Sequence, residues 1–196
     1  PGTSKVLATN GSGTVSWLGY STVCFLKGTK ITLDDNTQKN IEDLLFTDNI
    51  LTYHIRGLSY IKKDHRIIKW SQPNMKGEYS SSRIKNIWVN PMDRYLIINE
   101  KLKITNLHVI HVKRGLEYKF IPAENALIND ELWTDKGYYE KIESIEEIFE
   151  PNRYIEVYNL EVEKDNTYFA ENYLVHNLCG TCSGLSSRIL NNNNIL

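Results

Sequence analysis

Between positions 24 and 177 the chain is written in short runs of alternating apolar and polar residues, interrupted by Gly, Pro, Asn and Asp. Lys30-Ile31-Thr32-Leu33 alternates, Asp34-Asp35-Asn36 signals a turn, and Thr37-Gln38-Lys39-Asn40-Ile41 resumes, so a hairpin with a short polar loop is predicted. Ile41-Glu42-Asp43-Leu44-Leu45 suits a single helical turn. Further runs predict strands at 50–55, 84–89, 94–98, 102–112, 117–121, 138–148, 155–162 and 167–175. Many short strands between turn residues define an all-β unit with many hairpins.

The ends have a different texture. Residues 1–23 are rich in Gly, Ser and Thr, with Asn10-Gly11 and Ser12-Gly13 as turn signals and one short strand expected at Val15-Ser16-Trp17. This is too little to bury a core, and the phrase resembles segments of phage and viral tail-fibre proteins. Residues 56–83 are polar and lysine-rich and predict an exposed loop or hairpin excursion. The stretch from Ser183 to Leu196, with its run Asn191 to Asn194, predicts a disordered or truncated tail. The expected division is an upstream flank 1–23, one unit 24–177 and a downstream flank 178–196. The start at Pro1, with no Met, predicts a piece of a longer protein.

Composition narrows the classes. A chain of 196 residues with 41% hydrophobic content buries one good core. A net charge of -1 and a pI near 6.6 provide no cationic field, so nucleic acid is not an expected partner. No apolar run approaches the roughly 20 residues that span a bilayer, so no membrane partner is expected, and the isolated unit is expected to be a monomer. Three cysteines are an odd, unevenly spaced set and make no disulfide framework. A lone cysteine such as Cys24 is ordinarily a small buried hydrophobe. Cys179 and Cys182 have zinc or redox spacing, but no second ligand pair accompanies them. His108 and His111 point to opposite faces of a strand and form no metal pair, and His54, His65 and His111 are assigned surface or structural places. No metal is expected.

Four segments carry a specific resemblance. Cys24-Phe25-Leu26-Lys27-Gly28-Thr29 comes first, and Ile104-Thr105-Asn106-Leu107-His108 with its T-x-x-H spacing second. Val157-Tyr158-Asn159-Leu160-Glu161-Val162 with Tyr168-Phe169-Ala170-Glu171-Asn172 is third, and Val175-His176-Asn177 closes the series. In this order they resemble the blocks of inteins and their relatives, the Hint (hedgehog/intein) domains, across residues 24–177. The resemblance implies a flattened, horseshoe-shaped all-β module whose two termini meet at a central site. The resemblance is to the mini-intein or bacterial intein-like type, since the unit is too short to hold a homing endonuclease.

The chemistry follows from the residues. Cys24 stands beside the Val23 carbonyl, so its sulfur can attack that carbonyl and carry the upstream segment as a thioester. A thiol of pKa about 8.5 needs help to deprotonate, and the displaced amine needs a proton. Histidine gives and takes protons near neutrality. His108 is the candidate, with Thr105 orienting the peptide or the imidazole; a twisted Val23–Cys24 peptide would lower the barrier. At the other end the Asn177 carboxamide can attack its own main-chain carbonyl, closing a succinimide and breaking the bond to Leu178, with His176 polarising that carbonyl. The substrate is the chain's own flanks, turned over once. No cofactor is implied, and Cys24 calls for a reducing, intracellular compartment.

Three positions depart from the family. Leu178 stands where splicing needs Cys, Ser or Thr, so the usual branched intermediate cannot form there and cleavage is favoured over ligation. Cys179 lies one place further, where acyl transfer would pass a ring of about eight atoms against about five. Asn159 replaces a frequent Asp and Asn166 a frequent His, which bears on the coordination of the steps. Two other classes stay open. One is an inert structural β module of a larger virion or surface protein. The other is a cysteine hydrolase acting on other chains, for which no substrate groove or third orienting residue is apparent.

Overall fold

The computed structural model describes residues 5–9, 15–19, 23–58, 65–150, 153–177 and 188–190. In chain order the strands are β1 Lys5–Thr9, β2 Val15–Gly19, β3 Phe25–Leu26, β4 Lys30–Thr32, β5 Gln38–Asn40 and β6 Asn49–Ile55. Then come β7 Ser71–Gln72, β8 Gly77–Met92, β9 Arg94–Ile98, β10 Leu102–Ile104, β11 Val109–Arg114, β12 Glu117–Pro122 and β13 Glu131–Trp133. The series ends with β14 Tyr139–Lys141, β15 Ile145–Phe149, β16 Ile155–Val162, β17 Thr167–Ala170, β18 Tyr173–His176 and β19 Arg188–Leu190. Among the described residues the only helical turns are 3₁₀, at Ile41–Asp43, His65–Lys69 and Ala123–Asn125. None is long and apolar enough to cross a membrane. The protein is all-β, as its alternation predicts.

Two antiparallel sheets make up the main body. One runs β15-β9-β10-β3-β16-β8-β19, and the other β14-β13-β11-β18-β17-β4-β5. The upstream β1–β2 hairpin is a separate two-stranded sheet. Strand β8 pairs with β6 and then with β16, and β19 flanks its second half. Its first half pairs with β6 from Ile55↔Gly77 to Asn49↔Arg83, and its second half pairs with β16 from Val162↔Ile84 to Ile155↔Met92.

Two cores lie on opposite sides of the same strands. Ile50, Ile110, Tyr168 and Val175 bury into the larger cluster, whereas their sequence neighbours Leu51, Val109, Phe169 and Leu174 bury into the smaller. Successive side chains of a strand point to opposite faces, so a strand covered on both reads as an unbroken apolar run. That is why Tyr173-Leu174-Val175 carries no polar residue, and each such side chain contributes about 1.5–3 kcal/mol by burial.

The structure corrects five readings of the sequence. The run 138–148 is two strands, β14 and β15, in different sheets. The run 102–112 is not one strand: a turn over Thr105–His108 separates β10 from β11, because the Thr105 carbonyl accepts the His108 N–H at 3.0 Å. The run 167–175 is a hairpin, β17–β18, whose two-residue turn Glu171-Asn172 takes φ of 47° and 74°. Two consecutive positive φ values define the turn whose twist matches paired strands, and the Glu171 carboxylate supports it by accepting the Lys30 N–H at 2.7 Å. Within 56–83, which does join β6 to β8 as an excursion, Leu58 and Ile67 are buried and Trp70 and Met75 pack against them, so its inner face belongs to the smaller core. In the predicted disordered tail, Arg188–Leu190 pairs with β8 from Arg188↔Val89 to Leu190↔Ile87.

Candidate active site

Cys24 lies one residue before β3, which is held between β10 and β16 through the pairs Phe25↔Ile104 and Tyr158↔Phe25. The thiol is fully buried. Thr105 binds both polar groups of the Cys24 main chain. Its Oγ1 accepts the Cys24 N–H at 2.8 Å, and its own N–H donates to the Cys24 carbonyl at 2.9 Å. The peptide that joins Val23 to Cys24 is thereby fixed from the downstream side. Val23 itself is buried against Trp88 and Leu107.

The Thr105–His108 turn delivers the imidazole. The His108 carbonyl accepts the Ala123 N–H at 2.8 Å, and the ring packs on Phe25 at a centroid distance of 4.1 Å. Burial pushes the His108 imidazole down to about 3, the nearby Val23 main chain offsets part of that fall, and His176 adds to it. Among the described residues neither ring nitrogen meets a partner at hydrogen-bond geometry, so the approach to Val23 is a contact and not a formed bond.

The downstream end reaches the same place through strand register. β11 and β18 pair at Val109↔His176, directly after His108. His176 is buried against Phe120 at 5.4 Å, and burial pushes its imidazole down to about 3, opposed by contact with the Asn177 main chain. The Asn177 N–H donates to the Asn166 carbonyl at 2.6 Å. Its carboxamide is buried, and neither the oxygen nor the nitrogen has a hydrogen-bond partner among the described residues. Among the described residues no competing bond holds it away from its own carbonyl.

Cys24, Thr105, His108, His176 and Asn177 thus form one buried neighbourhood. Asn166 belongs to it through its main chain, at a φ of 48°. Asn159 is fully buried one step beyond the Tyr158↔Phe25 pair, and its side-chain oxygen accepts the Leu160 N–H at 2.9 Å. Leu178 and Cys179 lie outside the described residues. His111 sits across β11 in a cage of Trp70, Tyr118, Phe120 and Tyr139, away from the site, and burial also pushes it down to about 3. His54 is partly exposed and pairs with Asp165 at 2.8 Å. No cluster of potential metal ligands occurs among the described residues. Sequence reasoning missed Asn90, whose Nδ2 lies 3.6 Å from the Cys24 sulfur. An asparagine amid Trp88, Val89 and Pro91 carries no motif that would have announced it.

The Thr105 contacts have a measurable consequence. Thr105→Ala leaves the buried Cys24 N–H without its acceptor and destabilises the protein by about 1–3 kcal/mol in urea unfolding. Thr105→Ser, which keeps the oxygen, restores most of this. An unchanged midpoint for Thr105→Ala would show that the amide has another partner.

No known protein-family model matches the chain, and no curated protein matches it. Solved structures do. The bacterial intein-like domain from Clostridium thermocellum superposes with a TM-score of 0.62 at 20% identity, covering 80% of this chain and 100% of that one. The gp41-1 intein gives 0.54 at 14% identity, with 80% and 100% covered. A DnaB intein from Synechocystis sp. PCC 6803 gives 0.52 at 16%, with 80% and 99% covered. The chain therefore has the Hint fold seen in inteins.

Proposed function

We propose that the chain cuts itself at both ends of residues 24–177. The observation that supports this best is the meeting of Val23–Cys24, Thr105 and His108 with His176 and Asn177 across the β11–β18 register. The Cys24 sulfur bonds to the Val23 carbonyl carbon, the bond to the Cys24 nitrogen breaks, and the thiol proton ends on the freed amine. His108 relays it, a task for an imidazole that starts and finishes neutral. Water then hydrolyses the thioester. At the other end the Asn177 side-chain nitrogen attacks the Asn177 carbonyl carbon, the Leu178 amine departs with a proton, and a succinimide remains. His176 polarises the carbonyl, and a positioned group of this kind contributes about 10²–10⁴-fold. Nucleophile and target share one residue, which removes most of the entropy of approach. Cleavage prevails over splicing because Leu178 has no side-chain nucleophile to receive the thioester.

The purified chain is incubated at neutral pH with dithiothreitol and followed by mass spectrometry. Fragments 1–23 and 178–196 are expected. Cys24→Ala abolishes the first and Asn177→Ala the second. An intact mass that persists for days would sink the proposal and favour an inert β module.

A further inference from the structure

Resting on that reading, we infer that Asn90 is the residue that positions the Cys24 nucleophile. Its side-chain N–H donates a hydrogen bond to the sulfur and meets the negative charge that gathers there as the thioester forms. The contact is set by register. Leu26 of β3 pairs with Val157 of β16, and Val157 pairs with Asn90 of β8. The three side chains therefore stand in one row on one face of the sheet, and Cys24, two residues from Leu26, shares that face. The Nδ2–Sγ separation of 3.6 Å suits a large, weakly accepting sulfur.

The surroundings make this contact consequential. Cys24 clusters with Leu26, Met92 and Val157, with Tyr95 and Ile155 packed alongside. Such a cage offers little solvation to a developing thiolate. Asn90, only 4% exposed, brings a polar amide into this apolar wall, at a strand position that favours branched or aromatic residues. A neutral amide keeps its shape and charge throughout the acyl shift. It gives up no proton; its N–H···S bond strengthens when the sulfur is negative, since charge-assisted bonds are roughly twice as strong as neutral ones. Asn159, buried on β16, accepts the Leu160 N–H through its side-chain oxygen.

The test compares the parent chain with Asn90→Ala and the near-isosteric Asn90→Asp, both in a background carrying Cys179→Ser and Cys182→Ser. Dithiothreitol-induced release of residues 1–23 is followed against pH, with release of 178–196 as the internal reference. Asn90→Ala slows the first about tenfold and moves its pH dependence up by about one unit, leaving the second within about twofold. Asn90→Asp shifts the profile further, because its carboxylate repels the thiolate. Circular dichroism verifies the fold, and the Asp variant serves if the Ala variant does not fold. Ultraviolet absorbance of the thiolate titrates Cys24 directly and does not require cleavage. A shifted titration in a chain that never cleaves would uphold the role of Asn90 and overturn self-processing. Coincident rate profiles and coincident titrations in all folded variants would overturn the role of Asn90.

Discussion

Acidification from pH 7 to about 4.5 removes several kcal/mol of stability through three buried histidines, each contributing on the order of 2 kcal/mol. His108, His111 and His176 each fall to about 3 in the folded protein, chiefly because burial penalises the imidazolium. In the unfolded chain they titrate near 6.5. The unfolded state therefore takes up protons first. Stability is complete above about pH 6.5, declines as pH falls towards 3, and changes no further below it through these groups. A domain holds about 5–15 kcal/mol in all, so the loss is enough to unfold it or bring it to the edge of unfolding. Urea midpoints followed by tryptophan fluorescence from pH 7 to 4.5 report the slope. His111→Phe, placed in a cage that is already aromatic, should remove about a third of the acid sensitivity without touching the neighbourhood of Cys24 and Asn177. A stability that stays flat over this range would refute the account.

On the proposed self-processing, Leu178→Cys turns cleavage into joining. In the parent, on that proposal, thioester formation at Cys24 and succinimide formation at Asn177 each end in separated pieces, because no side chain at 178 accepts the upstream acyl group. The new thiol would take the acyl group from the Cys24 thioester to give a branched intermediate, and Asn177 cyclisation would then free the two flanks joined by a thioester. Sulfur-to-nitrogen transfer through a ring of about five atoms completes the peptide bond. The ratio of joined product (residues 1–23 with 178–196) to separate fragments should rise at least about tenfold by mass spectrometry. Cys179→Ala in the parent should leave that ratio unchanged, since its ring of about eight atoms forms too slowly to compete. If Leu178→Cys leaves the ratio where it was, the missing nucleophile is not what favours cleavage.

The β unit was legible because its strands obey a period of two between strong turn signals, as in Lys30–Ile41. The runs 102–112 and 167–175 were harder to divide. Strands buried on both faces are apolar throughout, so the turns at Thr105–His108 and Glu171-Asn172 interrupt the structure without interrupting the hydrophobicity. The polar stretch 56–83 misled in the opposite sense: its few apolar residues, Leu58, Ile67 and Trp70, decide which way it folds back.

The sequence by itself determined the residue types of the proposed site and their order: Cys24 beside Val23, the Thr105–His108 spacing, His176-Asn177, and Leu178 after them. Each is a local fact, readable over a few positions. The tertiary structure alone decided that these segments meet, that Thr105 holds Cys24 across 81 residues of chain, and that Asn90 reaches the same sulfur across 66. It also decided that His108, His111 and His176 are dry while His54 is not. Ladder register and burial come from pairings between distant segments, and composition within any one segment does not encode them.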